Sequence, residues 1–164
     1  MADGRTHQTV ALLVASASTA TVPFAFGAGV GPEAAALTVG TYIGVLNTPD
    51  IDHHARTVEE KRWYSLPGGW LWGRLYQGFW AALAVWIPHR SPLTHGLLLG
   101  TVVRWLYVLA KAAPWLVILW LLGARVGVDA LAWLPLLAWV FAGHALQDAG
   151  HILMDILWSG GKRR

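Results

Sequence analysis

Histidines and carboxylates recur in this chain at spacings that suit a divalent cation. His144, Asp148, His151 and Asp155 step by four, three and four residues, so on a helix their side chains fall along one stripe. Two carboxylates lie two residues apart in Pro49-Asp50-Ile51-Asp52, and two histidines flank a proline in His89-Arg90-Ser91-Pro92-Leu93-Thr94-His95. His7 stands near the start of the chain. The chain has only nine acidic residues and seven histidines, so their grouping is selective. Imidazole and carboxylate donors suit zinc first, with manganese or iron possible on the same ligands. There is no cysteine, which excludes thiolate ligands and disulfides.

Each group also has a plainer reading. His151 and Asp155, one helical turn apart, present an imidazole and a carboxylate to one ion, or close a helix face with an internal hydrogen bond. His144 and Asp148 repeat that spacing one turn earlier, as ligands of a second ion or as partners that orient the first. Burying four such groups with neither ions nor counter-charges would cost several kcal/mol, which favours the metal reading. Asp50 and Asp52, on an irregular segment, can both reach one centre; ordinary helix-end polarity is the alternative. His53 and His54 read as surface residues, because four adjacent positions cannot easily all point inward. Ser91 reads as a helix N-cap with Pro92 as the first helical residue. Arg90, beside a metal, suits an anionic substrate oxygen through its planar fork, or else a lipid headgroup.

The elements that must position these groups are apolar. Residues of hydrophobic type make up 55% of the chain and charged ones 13%, with eleven tryptophans, a balance that points to membrane residence. Apolar stretches run over 9–30, 34–46, 97–122 and 130–158, and the 164 residues read as a single domain, 1–164. The segment 70–86, rich in Trp and Tyr, reads as a helix at the membrane interface. Arg104 and Lys111, seven residues apart, share one face of the third apolar stretch, and this fits either pairing with carboxylates of the fourth or a helix that lines a wet cleft rather than lipid. The net charge of +3 is too small for a nucleic-acid stripe. Arg5, the region from Arg56 to Arg90 and the Lys162-Arg163-Arg164 tail instead set orientation, and all on the cytoplasmic side they require an even number of crossings. Four helices satisfy this, and they bring every histidine and carboxylate group to the same face.

Together these segments resemble a family of bacterial uncharacterised metal-binding membrane proteins. They are also similar to LexA-regulated inner-membrane proteins assigned as metal-dependent hydrolases. The resemblance rests on Gly4-Arg5-Thr6-His7, Pro49-Asp50-Ile51-Asp52, Lys61-Arg62-Trp63, His89 to Gly96, Asp148-Ala149-Gly150-His151 and Asp155. A looser similarity, confined to the N-terminal His, the Pro-Asp pair and the late His-x-x-x-Asp, is to zinc-dependent phospholipases C and related nucleases.

The expected protein is therefore an all-α integral membrane bundle of about four transmembrane helices plus an interfacial helix, in the bacterial inner membrane. Its metal site would face the cytoplasm, with His7, Asp50, Asp52, His89, His95, Asp148, His151 and Asp155 as ligands. As an enzyme it would hydrolyse phosphoester or lipid-linked substrates by activating water at the metal, with Arg90 steadying the substrate anion. The rival expectation is a non-enzymatic metal-binding component of a homo-oligomer or larger assembly, in which the ion stitches helices together.

Overall fold

Prolines and small residues dictate where this chain turns and how closely its helices approach. In the computed structural model, which describes residues 4–25, 31–52, 58–88, 91–123 and 130–160, the described residues form seven α-helices and a 3₁₀ turn, with no strand. They are α1 (Gly4–Ala25), α2 (Pro32–Leu46), the 3₁₀ turn Pro49–Asp52, α3 (Val58–Tyr64), α4 (Gly69–Trp86), α5 (Pro92–His95), α6 (Leu99–Leu121) and α7 (Ala130–Gly160). Pro32 starts α2, where its missing N–H costs nothing, and Glu33 in the first turn complements the helix dipole.

The central contact is α2 on α7. Gly40 and Gly44, one turn apart on α2, meet α7 where Gly143 faces back. A Cβ at Gly40 would fall on the Val140 carbonyl oxygen, and one at Gly143 on that of Leu37, so the two backbones touch as only small residues allow. Gly40 lies at Val140 and Gly44 at Gln147, so the helices run parallel. The turn that follows α2, carrying Asp50, therefore arrives level with His151. Helix α1 covers this pair, with Ala11 and Ala15 against Val45 and Val14 against Gly150.

Helix α6 runs the opposite way and meets α7 through long side chains in its first turns: Thr101 and Arg104 reach Asp148, and Trp105 reaches His144 and Phe141. Helix α4 braces it from outside. Trp80 stacks on Tyr107, Phe79 meets both edge-on, and the Tyr107 hydroxyl donates to the Phe79 carbonyl. Such ring pairs contribute about 0.5–1.5 kcal/mol each beyond area burial. The Tyr76 hydroxyl donates to the Leu46 carbonyl at 3.1 Å, and Trp63 of α3 stacks on Tyr76, so α3 and α4 together support the end of α2.

The expected apolar stretches fold as helices over their described residues, but four crossings are not what these provide. Among the described residues one helix, Leu99–Leu121, is long and apolar enough to cross a membrane. Helix α2 spans 15 residues, about 22 Å, short of a ~30 Å hydrocarbon layer. In α1 the apolar run described is Thr9–Ser18. Helix α7 is 31 residues long, and its second half carries His144, Gln147, Asp148, His151 and Asp155, turned largely towards the neighbouring helices. Segment 70–86 is a helix as expected, with Trp70, Trp72 and Trp86 exposed.

Candidate metal centre

Asp50, His95 and His151 converge although they lie on three different elements. One ligand atom from each falls within 4.8 Å of the others. His95 Nε2 stands 3.6 Å from Asp50 Oδ1, and His151 Nε2 stands 3.7 Å from Asp50 Oδ2. These separations exceed a hydrogen bond, for which about 3.2 Å is the upper limit. They come near the spacing of neighbouring donors around one ion bound at about 2.0–2.2 Å. His151 is buried, and the Asp50 side chain remains 33% exposed, so the cluster opens to the outside on the carboxylate side. On donor type and spacing, the three residues fit a divalent cation.

Local structure aims each donor. Asp50 follows α2 across Asn47-Thr48-Pro49, with Asn47 closing α2 by its N–H to the Ile43 carbonyl. Ser91 and Pro92 open α5 as the spacing predicts, although the Ser91 side chain makes no cap; its carbonyl accepts the N–H groups of Thr94 and His95. The Thr94 hydroxyl lies 3.2 Å from the Ser91 carbonyl and 3.1 Å from His95 Nδ1, and this contact orients the ring with Nε2 towards Asp50. After α5 the chain passes through Leu98, held at φ 52, before α6 begins. A leucine there costs about 1–3 kcal/mol and persists only where its surroundings impose it. Gly100 permits this tight corner, since a Cβ on it would meet the Thr94 carbonyl oxygen.

The stripe on α7 divides in two. His151 and Asp155 face the cluster, with Asp155 Oδ2 4.0 Å from His151 Nε2. His144 and Asp148 face inward to other partners. Asp148 takes the Arg104 guanidinium and the Thr101 hydroxyl on Oδ2, both side chains of the ion pair being essentially inaccessible. His144 Nδ1 accepts from Trp105 Nε1 at 3.0 Å, so Nε2 carries the proton and donates to the Asn47 carbonyl at 3.2 Å. Burial pushes the His144 imidazole below its ordinary value of 6.5, with Arg104 adding to this and Asp148 and the Asn47 carbonyl opposing it. It is therefore neutral at pH 7.

The side chains of His7 and Asp52, and the whole of His53, His54, His89 and Arg90, lie outside the described residues. Arg104 pairs with a carboxylate of α7 as its position predicts, whereas Lys111 lies over the Tyr107 ring, 5.4 Å from its centroid. Thr94, Thr101, Trp105 and Asn47 were not singled out by the sequence. The one pointer to them is Arg104 itself, a charge on an apolar helix that needs partners.

An all-helical protein with a two-histidine, one-carboxylate donor set is what these elements define. Residues 2–164 match the family described as uncharacterized metal-binding protein (DUF2227), and the chain belongs to that family. No curated protein and no solved structure matches it.

Proposed function

We propose that the protein is a membrane-attached, metal-dependent hydrolase of phosphoester substrates, lipid-linked ones included, with zinc the first candidate and manganese or iron the next. The observation that carries this reading is the three-ligand cluster with its partly exposed carboxylate. Three protein donors with access from outside suit a catalytic centre better than a closed structural one. A divalent cation bound there supplies Lewis acidity and lowers the pKa of water. Asp50, His95 and His151 bind it, and Thr94 orients the His95 ring. Asp155, beside His151 and only partly buried, is placed to take a proton from water or to add a fourth ligand. Arg90 is our candidate for holding the substrate anion, and His7, Asp52 and His89 are candidates for further ligands.

Attachment to the bilayer rests on α6. Its 23 residues reach about 34 Å, and Leu109, Trp115 to Leu122 and neighbouring apolar side chains are exposed along it. A bare apolar surface of this kind calls for a cover, which we assign to lipid. The cluster lies beside the first turns of α6, whose Arg104 bonds the Thr94 carbonyl and Asp148, so the site would sit at a membrane surface. We assign it to the cytoplasmic one, the side of the basic region from Arg56 to Arg90 that precedes α6.

Purified protein is to be analysed for metal and assayed on phosphomonoesters, phosphodiesters and lipid phosphoesters. Stoichiometric metal, with turnover abolished by chelator and by Asp50→Asn, is the expected result. Protein without metal, whose melting temperature ignores chelator, would end the metal reading. Metal without turnover of any phosphoester would favour a structural ion, a reading supported by the origin of its ligands on the turn after α2, on α5 and on α7.

A further inference from the structure

Arg104 is fully buried on a mostly apolar helix, and its partners do more than neutralise it. Nη1 donates to the Thr94 carbonyl at 3.1 Å, on the residue before His95. Nη2 donates to Asp148 Oδ2, one helical turn before His151, and the Thr101 hydroxyl donates to the same oxygen. Trp105, next along α6, donates to His144 Nδ1, and His144 Nε2 donates to the Asn47 carbonyl, three residues before Asp50. Each segment that carries a cluster donor is thus attached to one buried polar set rooted in the first turns of α6.

We propose that Arg104, Asp148 and His144 are positioning residues that set the distances among Asp50, His95 and His151 without themselves touching the ion. The proposal rests on reading that triad as a metal site. Stability alone is a poor reason for such a set, because a buried ion pair replaced by well-packed apolar residues is often neutral or stabilising. What the guanidinium adds is direction: a rigid planar fork bonds α5 and α7 at once, which a point-charge ammonium cannot reproduce. His144, neutral and in one tautomer, does the same for the turn that bears Asp50. Outer groups of this kind orient metal ligands, and losing one typically costs about 10–100-fold in metal affinity.

The test loads the full-length protein with Co²⁺, reading affinity by competition and geometry from the ligand-field absorption bands. Three variants are compared with wild type: Arg104→Lys, His144→Gln, and the double Arg104→Met/Asp148→Leu. The double variant is expected to melt near wild type, yet to bind Co²⁺ about 10–100-fold more weakly with altered bands. Arg104→Lys and His144→Gln should move in the same direction, and they decide the matter if the double variant does not fold. Wild-type affinity and bands in the folded Arg104→Lys and His144→Gln proteins would reduce the set to ordinary helix packing and overturn the proposal. Absence of Co²⁺ uptake by wild type would instead remove the metal reading of the triad, and the proposal with it.

Discussion

Replacing Asp50 by Asn tests the cluster most directly, because its carboxylate faces both imidazoles, at 3.6 and 3.7 Å. The side chain is one third exposed, so the isosteric amide keeps part of its hydration, and the metal-free variant should stay within about 0.5 kcal/mol of wild type. The metal-bound state should differ. Free metal at about 1,000 times the dissociation constant stabilises the folded chain by roughly 4.1 kcal/mol. A ligand lost from the first shell weakens affinity by at least the ~100-fold seen for outer-shell losses, so the same metal concentration is then only about tenfold above the new constant. The increment falls to about 1.4 kcal/mol, a loss of about 2.7 kcal/mol. At about 2–4 °C per kcal/mol for a chain of this size, the metal-dependent rise in melting temperature shrinks by roughly 5–11 °C. Differential scanning calorimetry in one detergent, with and without zinc, measures both states. An Asn variant that keeps the full metal-dependent rise would refute the placement of Asp50 at the ion.

Two further outcomes follow from the packing and the protonation states. Gly143→Ala puts a Cβ against the Leu37 carbonyl and the Thr41 backbone nitrogen, so α2 and α7 must move apart; a loss of about 1–3 kcal/mol in chemical denaturation is expected, and an unchanged midpoint would mean the helices are not in backbone contact. His144 has a folded pKa below 6.5, so its unfolded form binds a proton first as the pH drops; its contribution is complete above 6.5 and is lost progressively below it. The stability of wild type should therefore fall more steeply than that of His144→Gln between pH 6.5 and the lower folded value, and parallel curves would show that the ring is not buried as a neutral group.

The sequence by itself determined the helices and the chemical character of the site. Apolar and aromatic stretches marked α1, α2, α4, α6 and α7, and the four-three-four spacing placed His144, Asp148, His151 and Asp155 on one face, because helical geometry is local. It also marked Arg104 and Lys111 as charges on a mostly apolar helix, for which carboxylates of the fourth stretch were one set of partners and a wet cleft the other. Only the tertiary structure decided which donors meet. Asp50, His95 and His151 lie more than 40 residues apart in the chain; glycines at the α2–α7 contact set the parallel register that brings Asp50 to His151, and Arg104 ties the α5 segment bearing His95 to α7, neither of which local pattern encodes. The same packing split the stripe, turning His144 and Asp148 towards α6 and the Asn47 carbonyl while His151 and Asp155 face Asp50. Among the described residues it left one helix, α6, rather than the expected four long and apolar enough to cross a bilayer, α2 being too short at 15 residues.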